Sequence, residues 1–288
     1  MKRNEIIKLT ESPRDAQQGL PYVIPPEKRA EYLNALMTVG FDVLDFGSFV
    51  SPRAVPQMAE QDKVLGFVDK AGSRSKLMVI VGNLRGGMEA AAQEKIDIIG
   101  FPYSVSETFL KKNINSDGTK ALKTIDGLLE ICAGSGKTLR IFMSMAYGNP
   151  YNDEWSPDLL AEKTEILAGK GIMTITLADT IGIAPAPLIG EVYSSLLSRF
   201  PEHEFGLHIH TRPGEWHEKL DAAWEAGCRW YEGVISGIGG CPMTGYELIG
   251  NLNTLDLLGF LNEKQIPTGL NADALLHART IASEIMKP

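Results

Sequence analysis

Two histidines one residue apart, His208-Ile209-His210, are the residues of this 288-residue chain whose type and spacing most directly suggest chemistry. They close the run Phe205-Gly206-Leu207, which reads as a strand. Along a strand, residues i and i+2 point to the same side, so both imidazoles share one face. Two neutral imidazoles so placed form a metal-ligand pair; two ordinary polar residues lining a cavity mouth would show the same spacing. A second pair of interest, Arg14-Asp15, follows Thr10-Glu11-Ser12-Pro13. Pro13 favours extended backbone before it, which places the charges at the end of a strand. Asp15 could complete a divalent site with the histidines. Arg14, with its permanent charge and forked donors, could hold a developing oxyanion. A surface ion pair is the alternative.

The third feature is Gly237-Ile238-Gly239-Gly240-Cys241-Pro242. Its glycines admit backbone conformations closed to other residues, so the loop can fold over a site, or simply make a tight turn. Cys241, carried on that loop, is a candidate proton donor or acceptor, whereas Cys132 and Cys228 lie in periodic segments and read as structural. Gly134-Ser135-Gly136-Lys137-Thr138 has the end of a phosphate-binding loop but not its start. Position 131 is Ile where a glycine is needed, and the segment leads into a strand rather than a helix. No nucleotide site is expected there.

These residues need elements to hold them. Strands are expected near Ile6–Thr10, Phe41–Gly47, Lys76–Val81, Lys95–Phe101, Leu139–Met145, Ile172–Asp179, Phe205–His210 and Trp230–Ile235. Amphipathic stretches such as Glu27 to Val39 and Trp155 to Lys170 separate them. Eight strands alternating with helices imply a closed parallel (β/α)₈ TIM barrel, with an open doubly wound sheet as the alternative. In a barrel the reactive groups come from the C-terminal strand ends. Those ends carry Arg14-Asp15, Asp45, Asn83, Ser144, Asp179, His208/His210 and Glu232, so the candidates gather on one rim. No linker or repeat divides the chain. One barrel domain over residues 1–288, with a helical C-terminal extension, is the expectation.

Composition narrows the class. Hydrophobic residues make up 44% and charged residues 22%, as in soluble globular proteins. No apolar run reaches the roughly 20 residues that span a bilayer. Net charge is −8 and no basic stripe is present, which argues against nucleic acid. Three cysteines cannot all pair in one chain, and their spacing suits a reducing compartment. A cytoplasmic protein without a membrane or nucleic-acid partner is expected.

Taken together, the motifs resemble those of the 3-hydroxy-3-methylglutaryl-CoA lyase family, within the metal-dependent barrel lyases and Claisen-type synthases. The resemblance runs nearly end to end: Pro13-Arg14-Asp15-Ala16-Gln17, Ser48-Phe49-Val50-Ser51-Pro52-Arg53, Asn83-Leu84-Arg85-Gly86, Lys111-Lys112-Asn113-Ile114-Asn115, Asp179-Thr180-Ile181-Gly182 and Gly250-Asn251-Leu252. The Gly-Gly-Cys-Pro loop is the specific sign, since the synthases share the Arg-Asp and His-x-His but not this loop. The resemblance implies that Asp15, His208, His210 and Asn251 bind Mg²⁺ or Mn²⁺. It further implies that Arg14 offsets an enolate, that Cys241 exchanges a proton with substrate, that His208 and Asp45 belong to the catalytic set, and that Asp179 positions it. It also implies an acyl-CoA substrate, cleavage of 3-hydroxy-3-methylglutaryl-CoA to acetyl-CoA and acetoacetate, and a homo-oligomer, a dimer.

The chain departs from the family pattern at four places. Thr211 follows His210 where Asp is usual, Asp45 stands for a longer Glu, and Glu232 stands for Asp. Met243–Ile249 replaces a small-residue stretch and sets Asn251 one residue further from Cys241. Two other readings therefore stand beside the first: a lyase or aldolase for a different 3-hydroxyacyl-CoA or hydroxy acid, and a catalytically silent metal-binding paralogue. Retention of both Arg14 and Cys241 argues against the silent one.

Overall fold

Leu77, Met78, Val79 and Val81 are all buried although they are consecutive or nearly so, which requires cover on both faces of their strand. The computed structural model describes residues 6–240, 242–246 and 249–287 and supplies that cover. The strands are β1 (Lys8–Glu11), β2 (Val43–Phe49), β3 (Lys76–Val81), β4 (Ile98–Ser104), β5 (Thr138–Ser144), β6 (Thr174–Asp179), β7 (Glu204–Ile209) and β8 (Trp230–Gly233). Each pairs in parallel with the next, and β8 returns to β1 from Lys8↔Trp230 to Glu11↔Gly233. The sheet is therefore a closed barrel, not the open alternative. Met78 points into the lumen with Val43, Ile98, Phe142 and Trp230, while Leu77 and Val79 join the larger core between strands and helices.

All eight expected strands exist; β3 has the expected bounds and the other seven have shifted ends. β1 begins at Lys8 and not at Ile6, which is 82% exposed and has nothing to pack on. β4 starts three residues later than expected and runs on to Ser104. Lys95 and Asp97 are spent below it: the Lys95 ammonium donates to the Leu65 and Val68 carbonyls, and the Asp97 carboxylate accepts from Leu77 N–H. Pro102 fits inside β4 because the β3 pairing ends at Gly100, so its missing N–H falls where only β5 remains as neighbour. β7 ends at Ile209, and His210 instead makes an isolated antiparallel bridge with Asn251. Helices Pro26–Val39 and Pro157–Gly169 fall where the amphipathic stretches were expected. The C-terminal helix Ala272–Ile285 packs on Pro26–Val39. Among the described residues no helix is long and apolar enough to cross a membrane.

Alternation sends Thr10 of β1 inward and Glu11 outward, beneath the loop that leaves β8. There the fully buried Glu11 carboxyl group binds Ile235 N at 2.7 Å and the Thr254 hydroxyl at 2.5 Å, tying that loop and the helix Thr254–Glu263 to the first strand. Burial pushes its pKa from 4.5 up to about 8, against the pull of both hydrogen bonds. The folded state thus keeps a proton that the unfolded chain releases near pH 4.5, and stability attributable to this group falls as pH rises from 4.5 to 8. The slope is about 1.4 kcal/mol per pH unit. Glu11→Gln should flatten thermal midpoint against pH over that range and make the variant relatively more stable at the alkaline end. Parallel curves for the two proteins would assign the slope elsewhere.

Candidate active site

The strand geometry of β7 brings His208 and His210 to one side, as their spacing predicts, with Nε2 atoms 3.3 Å apart. The partners of the other ring nitrogens decide the tautomers. His210 Nδ1 lies 3.0 Å from the Ile249 carbonyl oxygen, which can only accept, so Nδ1 carries the hydrogen. His208 Nδ1 lies 3.1 Å from the Glu232 carboxylate, which likewise accepts. When both rings are neutral, both Nε2 atoms are bare and face one another. That arrangement is repulsive unless positive charge lies against both. Asp15 completes the group: one ligand atom from each of Asp15, His208 and His210 lies within 4.8 Å of the others, and all three residues are buried.

The charges around them suit a cation. Burial would raise the Asp15 pKa, but Arg14 first, then His210, His208 and the Asn251 hydrogen bond, bring it down to about 2. His210 is driven down to about 4 by burial, against the attraction of Asp15, and stays neutral. Burial alone would lower His208; the Glu232 hydrogen bond and charge outweigh it, and its pKa is raised. A held carboxylate and two imidazole nitrogens facing one pocket are a donor set for a divalent ion. Asn251, expected as a fourth ligand, is beside them. Its Nδ2 donates to Asp15 at 2.6 Å and to the Ile238 carbonyl at 2.9 Å. Gly239 permits that approach: at φ +117° it leaves no room for a Cβ, which would lie 2.6 Å from both Asn251 Nδ2 and the Asp15 carbonyl.

Arg14 and Asp15 do not lie in an extended tail after β1, because Pro13 opens a short helix, Pro13–Gln18, and its fixed φ suits that first position. Arg14 is gripped by Asp45, with Nη2–Oδ2 at 2.6 Å and Nε–Oδ2 at 3.1 Å, and by Asp15 at 3.0 Å. Asp45 was expected at the end of β2 but is its third residue, just before a bulge between Asp45 and Gly47. Its carboxylate is fully buried and faces Arg14; burial raises its pKa, with Arg14 opposing. Asp45 therefore acts on the site through Arg14.

Asp179 turns away from the pocket. Ala178 lines the pocket, so its neighbour in β6 points out toward the helices. There the Asp179 carboxylate accepts from Ile183 N and Ala184 N, each at 3.0 Å. Cys241 lies outside the described residues. Cys132 and Cys228 are free and buried, and burial pushes both thiols up to about 11, as befits packing residues. The group opens on a pocket of about 410 Å³, lined also by Asn83 and Ser144 from the expected rim, by Lys112 and Asn113, and by the apolar Ile80, Pro102, Phe142 and Ala178.

The barrel lumen holds what the sequence concealed. Arg140, inside β5 and 1% exposed, binds Glu232 through Nη2 and Thr176 through Nε at 2.8 Å, and stacks on Trp230 at 3.9 Å. Gly206 of β7 leaves it space, since a Cβ there would lie 2.7 Å from Nη2. Burial would raise Glu232, yet Arg140, His208 and Thr176 hold its pKa down. The Arg140 charge is in this way passed through a carboxylate to the ring of His208. Nothing in the run Thr138–Ser144 announces a lumen-facing Arg, because alternation does not say which side is the lumen. Gln18 was also missed. It accepts from Arg14 at 3.0 Å and donates to Asp15, and the i, i+3 and i+4 spacing of a helix would have pointed to it. Groups that orient a metal-binding imidazole typically contribute 10–100-fold to metal affinity. Glu232→Ala should accordingly weaken Mn²⁺ binding by about that factor. Titration calorimetry showing an unchanged dissociation constant would remove Glu232 from the site.

Comparison with known proteins gives the family. The family model described as HMGL-like matches residues 6–281. Rat mitochondrial hydroxymethylglutaryl-CoA lyase is 30% identical over 279 residues, covering 96% of this chain and 84% of the relative. The human cytoplasmic 3-hydroxy-3-methylglutaryl-CoA lyase is 30% identical over 276 residues, covering 95% of this chain and 74% of the relative. Among solved structures, the HMG-CoA lyase of Acinetobacter baumannii in complex with coenzyme A and 3-methylmalate superposes with a TM-score of 0.91 at 27% identity, covering 99% and 93% of the two chains. The Brucella melitensis HMG-CoA lyase gives 0.90 at 27% identity, covering 99% and 100%. With a matching family model over nearly its whole length and an eight-stranded barrel in common, this chain belongs to the HMGL-like family and is a carbon–carbon lyase of the HMG-CoA lyase type.

Proposed function

We propose that the chain cleaves 3-hydroxy-3-methylglutaryl-CoA to acetyl-CoA and acetoacetate, with Mg²⁺ or Mn²⁺ held by Asp15, His208, His210 and Asn251. The observation that carries the metal is the pair of Nε2 atoms 3.3 Å apart beside the Asp15 carboxylate, with one ligand atom of each residue within 4.8 Å of the others. An acyl-CoA substrate is supported by the relatives' names and by coenzyme A in the Acinetobacter complex.

In that reaction the hydroxyl at C3 loses its proton, the C2–C3 bond breaks, and C3 becomes the ketone of acetoacetate. The electron pair passes to the thioester as an enolate, which takes a proton at C2. A divalent cation in this site supplies Lewis acidity that makes the hydroxyl easier to deprotonate. With Nε2 turned to the cation and Nδ1–H to Glu232, His208 has no lone pair left for the hydroxyl proton, which passes to water in the open pocket, while Glu232 fixes the ring from behind. Arg14 faces the pocket and offsets the enolate, held in line by Asp45. Cys241 returns a proton to C2. Asp179 serves from behind, in the turn after β6. A second reading, a different 3-hydroxyacyl-CoA or hydroxy acid, is favoured by Met243: it comes from the segment that departs from the family pattern, and it lines the pocket.

Turnover of a panel of 3-hydroxyacyl-CoA thioesters separates the two readings, with 3-hydroxy-3-methylglutaryl-CoA expected to be the best substrate. Chelation should abolish activity and Mg²⁺ or Mn²⁺ should restore it; full activity in metal-free protein sinks the proposal. Arg14 meets charge that exists only as the bond breaks. Arg14→Met should therefore lower kcat by about 10²–10³-fold with little change in KM. Near-normal turnover would return Arg14 to the status of a structural ion pair.

A further inference from the structure

Lys219 is 7% exposed, an uncommon fate for a lysine. It sits on the inward face of the helix Trp216–Glu225 with Leu220 and Ala223, and its ammonium reaches two oxygens: the Asp179 carboxylate at 3.5 Å and the Gly182 carbonyl at 3.3 Å. Those two residues are the first and last of one turn. Gly182 N donates back to the Asp179 carbonyl at 3.2 Å, and Gly182 has φ +69°. Lys219 thus bridges the two ends of the turn from outside the barrel.

The other side of that turn bears on His210. The Asp179 carbonyl accepts from His210 N at 3.3 Å. Gly182 lies so close to the His210 carbonyl that a Cβ would come within 2.9 Å of it, and the same Cβ would lie 3.1 Å from the Ile249 side chain. Ile249 in turn offers the carbonyl that orients the His210 ring. The turn therefore meets His210 at its N–H and its C=O, and it meets the residue that sets the ring. A shift of the turn moves the imidazole.

We infer that Lys219 is a positioning residue for the cation site, locking the turn Asp179–Gly182 against His210. This rests on the proposal that His210 holds a divalent cation. Buried Lys219 has a structural cost that its partners must offset, and placing a charged group here rather than an apolar one is explained if the turn must be held to one geometry.

The test is direct Mn²⁺ binding, read from the paramagnetic resonance signal of free Mn²⁺, beside the thermal midpoint of the metal-free protein. Lys219→Met should weaken Mn²⁺ binding by about 10–100-fold, the usual effect of losing a group that orients a ligand. Lys219→Gln, which still offers Asp179 one donor without the charge, should weaken it less and covers a methionine variant that does not fold. A fall in thermal midpoint with wild-type Mn²⁺ affinity in a folded variant would make Lys219 merely structural and overturn the inference. Wild-type protein that binds no Mn²⁺ would instead overturn the metal reading itself, and this inference with it.

Discussion

Two imidazole nitrogens held 3.3 Å apart are the constraint on which the rest of this site depends. When both rings are neutral their lone pairs repel, and positive charge between them, a metal cation or a proton on His208, relieves it. The protein keeps them there by fixing each ring from behind, one on a carboxylate and one on a backbone carbonyl. Neither ring can rotate to relieve the repulsion without giving up a buried hydrogen bond, worth on the order of 1 kcal/mol or more to stability.

Charges alternate outward from that pair. Arg140 meets Glu232, Glu232 meets His208, Asp15 meets Arg14, and Arg14 meets Asp45. All are buried, and each isolated charge would be costly in the barrel. Removing one partner of such a pair typically costs about 3–5 kcal/mol because the other is left uncompensated. The chain of contacts is therefore self-supporting: it tolerates loss of a member poorly, and it holds both Asp15 and Arg14 ionised at the pocket wall. The same logic extends to the outer layer, where Lys219 answers Asp179.

The barrel supplies the frame for this at its C-terminal end. Closure between β1 and β8 places residues from opposite ends of the chain, Asp15 and Asn251, in hydrogen-bond contact. Glu11 fastens the loop leaving β8 to β1 from outside, so the segment that leads toward Cys241 starts from a defined point. Two glycines, Gly206 and Gly239, provide room for Arg140 in the lumen and for Asn251 against Asp15.

The barrel was legible in the sequence because each strand is a short apolar run that needs cover on both faces, and eight such runs alternate with helices. The histidine pair was legible too, since a two-residue spacing in a strand has one geometric meaning. Arg14 and Asp15 were recognisable by type, but not the helix that carries them. What the linear chain could not show was direction and depth. Asp45 and Asp179 both read as rim carboxylates, yet one grips Arg14 and the other faces the helices. Arg140, Gln18 and Lys219 looked like ordinary polar residues, and only the tertiary structure gave each its partners: Glu232 in the lumen, Asp15 at the pocket and Asp179 under the outer helix. The physical reason is that period and residue type are local properties, whereas the facing of a side chain, and the partner that neutralises it once buried, are set by strands and helices far away in the chain.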